Sequence, residues 1–332
     1  MFNSKIISDF DFKNYIIGNS KKAYMAEAFF NWQIDNWELA KHNYIGLKSI
    51  KKKELHFDGF DIQLQFNPGR IVSTSAKVDA KSIGERPCFL CSNNLPKEQK
   101  GLICNNNYLL LVNPFPIFEQ HFTIPHFNHI PQEIFSSFGD ILLIAKELGE
   151  KYSLFYNGPQ CGASAPDHLH FQASPKNAMP IEKQTGFLLK KSEVINKNES
   201  VTIYAIKNYL RNLFLIESNN IIAIQKEFNK LYNSIKETTN FQLEPLINIL
   251  VTFDKVWRVF IFPRKTHRPK EFFLEGDEKI LISPATVDFG GLLITPRQED
   301  FDKITKENII NIFKQTSIDN TIFENIIKNY SL

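Results

Sequence analysis

A chain of 332 residues, 43% hydrophobic and 23% charged, is long enough for two domains and too apolar to be a disordered segment. Its 39 basic and 36 acidic side chains leave a formal charge of +3 and are interspersed, which excludes the clustered basic face of a nucleic-acid binder. Asp9 and Asp11 interrupt the N-terminus and no window approaches about 18 apolar residues, so the expectation is a cytoplasmic protein with no membrane partner.

From Ser20 to Lys52 the residues Ala23, Ala26, Phe30, Ile34 and Trp37 recur at helical spacing, and Lys51-Lys52-Lys53 reads as a solvated helix end. From Leu55 the pattern shortens to strand-like runs over 61–66 and 70–74, about the turn Asn67-Pro68-Gly69. A strand over 108–112, another ending at Pro125 and a helix over 130–148 follow. Two strands are expected between Val201 and Ile216, then an amphipathic helix marked by Ile221, Ile224, Phe228, Leu231 and Ile235. Strands over 247–252, 256–262 and 291–295 and a helix over 302–314 complete the pattern. Strand groups without regular βαβ alternation predict an α+β class with a largely antiparallel sheet. The expected division is a helical arm over 1–54, a first half over 55–198 and a second half over 199–332.

The stretch from Tyr156 to Gln172 carries the most chemistry. A turn-rich loop with Gly162-Ala163-Ser164 runs into His168-Leu169-His170-Phe171-Gln172, whose alternation predicts three polar side chains on one strand face. An imidazole is partly unprotonated near neutral pH and attacks phosphorus readily, and backbone N–H groups of such a loop can hold phosphate oxygens. Cys88-Phe89-Leu90-Cys91 has the spacing of a zinc knuckle that supplies two thiolates. His168 and one of His121, His126 and His129 are the candidates for the remaining ligands, and a redox dithiol is the competing use of the pair. Zinc on Cys88, Cys91, His129 and His168 would pin the segment bearing His170. Cys161 reads as a buried filler and Cys104 as a turn neighbour, while Lys183, Arg264 and His267 are cations within plausible reach of a phosphate.

Residues 113–125, Asn157-Gly158, Gly162-Ala163-Ser164 and the His168 to Gln172 motif together resemble the histidine-triad superfamily. The similarity is to the branch of galactose-1-phosphate uridylyltransferase, diadenosine tetraphosphate (Ap4A) phosphorylase and GDP-hexose phosphorylase, in which glutamine replaces the third histidine. Pro180-Ile181-Glu182-Lys183 adds to the likeness with the GDP-hexose phosphorylases. The resemblance implies two HIT-like halves, each an antiparallel sheet with flanking helices. It implies that His170 is nucleotidylated at the α-phosphate of a nucleotide or nucleotide sugar and that a phosphate or sugar phosphate then accepts the nucleotide. Gln172 would bond a phosphate oxygen, and Asn157, Gly162, Ala163, Ser164 and Lys183 would bind substrate. His129 matches the family's first-half ligand of one structural zinc per chain. The count of four steps from Ser164 to His168 is one more than in the uridylyltransferases and sets the loop apart from theirs. The alternatives are a dinucleoside polyphosphate phosphorylase, a sugar-1-phosphate nucleotidyltransferase, or a zinc-stabilised nucleotide binder without turnover; a homodimer is compatible with each.

Overall fold

A computed structural model describes residues 4–17, 21–75 and 79–332, and the expected start of the arm at Ser20 lies outside them. The arm consists of α1 (Lys22–Asp35) and α2 (Glu38–Gly46). The lysine run opens strand β1 (Lys51–Phe57), which pairs antiparallel with β2 (Phe60–Phe66), and so does not end a helix. β2 needs a neighbour to cover Ile62 and Leu64, and a lysine-rich edge strand supplies it while discouraging pairing with other chains. Residues 70–74 were expected as a strand. They form instead a turn of helix, α3 (Ile71–Thr74), because β1 and the later strand Leu292–Thr295 occupy both edges of β2 and leave no ladder for them.

After α4 (Ala80–Gly84) come β3 (Gly101–Cys104), β4 (Tyr108–Val112), β5 (Phe122–Pro125), α5 (Phe138–Leu148), β6 (Tyr152–Asn157) and β7 (His170–Pro175). The helix expected over 130–148 thus begins eight residues late: Pro131 disfavours helix at Ile130, and residues 134–137 form a bend and a turn before α5. The second half runs α6 (Pro180–Lys191), β8 (Glu193–Lys197), β9 (Thr202–Ile206), β10 (Leu213–Ser218), α7 (Ile221–Thr239), β11 (Ile247–Asp254) and β12 (Val256–Pro263). It closes with α8 (Thr286–Phe289), β13 (Leu292–Thr295), α9 (Gln298–Lys303), α10 (Lys306–Thr316) and α11 (Asn320–Ser331). The single helix expected over 302–314 is split because the Thr305 hydroxyl accepts the Asn308 N–H at 3.3 Å and caps a new helix.

Ten strands form one antiparallel sheet in the order β3-β4-β5-β7-β6-β11-β12-β10-β9-β8. Counted from either edge, the chain order within each half is first, second, third, fifth, fourth, and a helix, α5 or α7, joins third to fourth in both. The halves meet at the β6–β11 ladder, where Asn157 pairs with Asn248 and Phe155 with Leu250. On the pseudo-twofold, Phe138 of α5 stacks on Phe228 of α7 with ring centroids 3.5 Å apart. Each such ring, fully buried, contributes about 1.5–3 kcal/mol by removal of apolar surface from water.

Both faces of the sheet are covered, so its strands read as continuous apolar runs divided by period two. Leu154, Tyr156, Phe171 and Ala173 point into the core beneath α1, α5, α7 and α11. Phe155, Leu250, Phe260 and Phe262 point the other way, into a second core beneath α6, α10 and the small sheet β1-β2-β13. β7 thereby directs His170 and Gln172, opposite in parity to Phe171 and Ala173, into the space between the large and the small sheet. The loop after β6 closes against the second half at Gly162, whose φ is +97° and where an added Cβ would stand 2.5 Å from the Ala285 Cβ. Gly162→Ala is expected to lower stability by about 1–3 kcal/mol, read from the urea midpoint, since both the backbone region and the neighbour oppose a side chain.

Candidate functional site

A cavity of about 620 Å³ lies between the sheets and is lined by His170, Gln172, Asn157, Gly162 and Ser164 of the predicted set. Arg70, Arg86, Phe89, Phe115, Phe155 and Asp288 are also in its wall. Ala163 is buried behind the loop, and Lys183 is exposed on α6 outside the lining. The backbone N–H groups of Gly162 and Ser164 make no hydrogen bond within the described residues. Arg264 is buried and spends its guanidinium on Asn248, Thr316, Pro284, Thr266 and His267, so it braces the second half and has no donor left for a phosphate. His267, too, lies outside the lining. Cys161 is fully buried, and burial pushes its thiol up to about 12, which leaves it inert.

The site exists because the β6–β7 ladder stops short. Pairing ends at Phe155 with Gln172, and continued register would join Asn157 to His170. The Gln132 side chain occupies that place. Its Oε1 accepts the His170 N–H at 2.8 Å, and its Nε2 donates to the His170 carbonyl at 3.1 Å and to the Asn157 carbonyl at 2.9 Å. The amide thus satisfies backbone groups that the parted strands leave open, and the loop 158–169 can diverge without orphaned donors. Asn157 is held in turn: its Oδ1 accepts from Asn248 Nδ2 at 3.1 Å, the Thr286 N–H at 2.9 Å and the Thr286 hydroxyl at 2.7 Å.

His170 is 3% exposed, and its Nδ1 lies 2.8 Å from the His168 carbonyl. A carbonyl only accepts, so the proton is assigned to Nδ1 and the lone pair to Nε2. Burial holds the pKa of His170 down at about 4, and at neutral pH the ring is uncharged and nucleophilic. Gln172 is oriented by His121, which the sequence offered only as a possible metal ligand. His121 Nδ1 accepts the Ile117 N–H at 3.3 Å, so its proton sits on Nε2, 3.0 Å from Gln172 Oε1. The Gln172 amide therefore turns its N–H₂ away from His121, as a donor for an anion.

His168 stands in the bend before β7 and not beside His170 and Gln172 on the strand face, contrary to the alternation. Its Nδ1 is 3.3 Å from Cys88 Sγ and 3.6 Å from Cys91 Sγ, and His129 Nδ1 is 3.2 Å from Cys91 Sγ. The four donor atoms all lie within 4.8 Å of one another. Bonds of about 2.0–2.3 Å to a tetrahedral ion put its donors roughly 3.3–3.8 Å apart, so the cluster has the dimensions of a Cys₂His₂ site that could hold a metal. Burial pushes the Cys88 thiol up to about 11, and a cation among these donors would supply the charge that lets it ionise. His168 Nε2 donates to the His126 carbonyl at 2.8 Å, the outer-shell bond that orients a ligating imidazole. The His126 ring bonds Asn128 and packs on Tyr108, and His121 serves Gln172; neither joins the cluster.

Arg70, Arg86, Gln132 and Thr286 were given no role from sequence. Arg70 opens a run read as a strand and Arg86 lies two positions before Cys88, but only folding shows that both line the same cavity as His170. Gln132 and Thr286 lie 38 and 129 positions from the backbone and side chain they hold, beyond any periodic signal.

Burial, with the Arg70 charge as the next cause, holds His121 down at about pKa 3, against about 6.5 in an unfolded chain. Between these values the unfolded chain binds a proton that the native ring refuses, so stability falls as pH drops from about 6.5 towards 3. In the urea midpoint measured against pH, His121→Gln should show a shallower decline over that window; an unchanged slope would refute the assigned burial.

Residues 29–175 match the family described as a domain of unknown function (DUF4922), and residues 188–331 match the family described as GDPGP1-like, C-terminal domain. No curated protein matches the chain in sequence. Among solved structures, yeast Ap4A phosphorylase superposes with a TM-score of 0.55 at 15% identity, covering 85% of this chain and 94% of that one. The same yeast protein in complex with Ap4A gives 0.51 at 14% identity over 85% and 96% of the two chains. Its complex with AMP gives 0.50 at 15% identity over 84% and 94%. The chain thus shares the fold of yeast Ap4A phosphorylase along most of its length and carries a domain that matches the GDPGP1-like family over residues 188–331.

Proposed function

We propose that this protein is a nucleotidyl-transferring enzyme that phosphorolyses a nucleoside diphosphate hexose through a nucleotidyl adduct on His170. The observation that carries the reading is the 2.8 Å bond from His170 Nδ1 to the His168 carbonyl, which leaves Nε2 as the unprotonated nitrogen of a cavity-lining ring. Nε2 attacks the α-phosphorus, an N–P bond forms, and the bond to the bridging oxygen breaks with its electron pair leaving on the sugar phosphate. The ring becomes an imidazolium in the adduct, and the His168 carbonyl stabilises the Nδ1–H that then carries positive charge. An oxygen of inorganic phosphate attacks the same phosphorus in the second half, and the imidazole leaves with its Nδ1 proton unmoved.

Gln172 donates to a non-bridging oxygen and has no proton to give the leaving group, which suits phosphate leaving groups that need none. The free N–H groups of the Gly162 loop and the guanidinium groups of Arg70 and Arg86 face the charge that builds on the phosphates. GDP-hexose as substrate is supported by the GDPGP1-like C-terminal match and by the Pro180 to Lys183 motif. The likeness in fold to yeast Ap4A phosphorylase keeps a dinucleoside polyphosphate as the second reading. The cluster of Cys88, Cys91, His129 and His168 would hold one structural zinc, which would brace the bend that supplies the His168 carbonyl.

Incubation with labelled GDP-, ADP- and UDP-hexoses and Ap4A is expected to leave an acid-labile, base-stable adduct. His170→Ala should abolish it with the fold intact; label retained in that variant would sink the assignment. Metal analysis should find about one zinc per chain, lost in Cys88→Ala together with a lower melting temperature. A metal-free protein of unchanged melting and activity would remove zinc from the account.

A further inference from the structure

Asp167 joins the metal cluster to the cavity, and neither site uses it in the account above. Its Oδ1 accepts from Arg86 Nη2 at 2.9 Å, and its Oδ2 stands 3.7 Å from His129 Nε2, the ring nitrogen turned away from the sulfur. The carboxylate is 17% exposed, so its charge is only partly screened. Arg86 also touches the Ser164 carbonyl at 3.3 Å and lies 5.0 Å from the Phe89 ring centroid, on the cavity wall that carries His170. Its Nη1 is buried with no hydrogen-bond partner. A guanidinium with one ionic partner and an unsatisfied N–H has its position set by that partner.

We infer that Asp167 is a positioning residue that ties metal occupancy of the cluster to anion binding in the cavity, acting through Arg86. The inference rests on the reading of the cavity as a phosphate site. A metal taken by His129 Nδ1 leaves the ring proton on Nε2, which makes that nitrogen a donor to Asp167 Oδ2. The carboxylate is then held from both sides, and its other oxygen holds the guanidinium. Without metal the His129 side chain, 46% exposed, is free to change tautomer or turn, and Asp167 loses an anchor. The coupling is reciprocal: an anion that fixes Arg86 tightens the metal.

Calorimetric titration with inorganic pyrophosphate tests this on the wild type and Asp167→Asn, each zinc-loaded and chelated, with circular dichroism to confirm the fold. Chelation should weaken binding about tenfold in the wild type, Asp167→Asn should weaken it by a similar factor in the loaded protein, and the two losses should not add. A merely structural role for Asp167 would leave the chelation effect intact in the variant, and that result overturns the inference. So does pyrophosphate binding that is absent from the loaded wild type or indifferent to metal. If chelation unfolds the chain, zinc release from the loaded proteins decides: saturating pyrophosphate should slow it about tenfold in the wild type and not in Asp167→Asn. Equal slowing in both, or none in the wild type, overturns the coupling. None of these readouts needs a histidine adduct, so their failure and the failure of the His170 assignment are separately visible.

Discussion

The Gln132 amide, set where Asn157 and His170 would otherwise pair, is the constraint on which the site depends. An antiparallel ladder that parts inside a covered sheet strands donors and acceptors in a dry interior, at a cost of about 1–3 kcal/mol for each group left open. One side chain able to accept and donate removes that cost at the point of divergence. The loop 158–169 can then leave the sheet, return through a bend at His168 and deliver His170 into the space between the sheets.

The second half shows what the fold does without such a device. β11 and β12 stand in the same relation as β6 and β7, yet Lys255 alone connects them, at φ +62°, and their ladder runs unbroken from Asp254 with Val256 to Ile247 with Pro263. It has no loop, no cavity-facing histidine and no cluster, and it contributes a surface. Asn248 and Thr286 hold Asn157, and Ala285 closes on Gly162. Two halves with one strand order have thus become a chemical half and a bracing half.

Around His170, protein groups rather than solvent set each proton. The His168 carbonyl holds the proton of His170 on Nδ1, and the Ile117 N–H forces that of His121 onto Nε2 and so turns the Gln172 amide. Burial lowers the pKa of both rings, which keeps them neutral beside the guanidinium groups of Arg70 and Arg86. In the proposed reaction, this neutral imidazole in a wall that carries two cations would attack a phosphate that those cations attract.

Much of this was legible in the chain itself. The α+β class and most strands followed from short apolar runs without βαβ alternation, since a strand covered on both faces must be apolar almost throughout. The Cys88 and Cys91 spacing and the His168 to Gln172 motif pointed to residues that the fold gathers, the first into one cluster with His129 and His168 and the second, at His170 and Gln172, into one cavity wall. Local pattern failed where a distant partner decided. Lys51-Lys52-Lys53 became a strand because β2 offered an edge, residues 71–74 a helix because it offered no other, and His168 left the strand face for the cluster. The amino-acid sequence by itself determined which groups are available: a histidine and a glutamine two positions apart, and a set of thiols and imidazoles. Only the tertiary structure decided that Gln132 parts the strands, that His121 turns Gln172 and that Asp167 stands between His129 and Arg86. Each of those contacts spans 25 or more positions, and a contact of that range is settled by how the sheets pack and not by neighbouring residues.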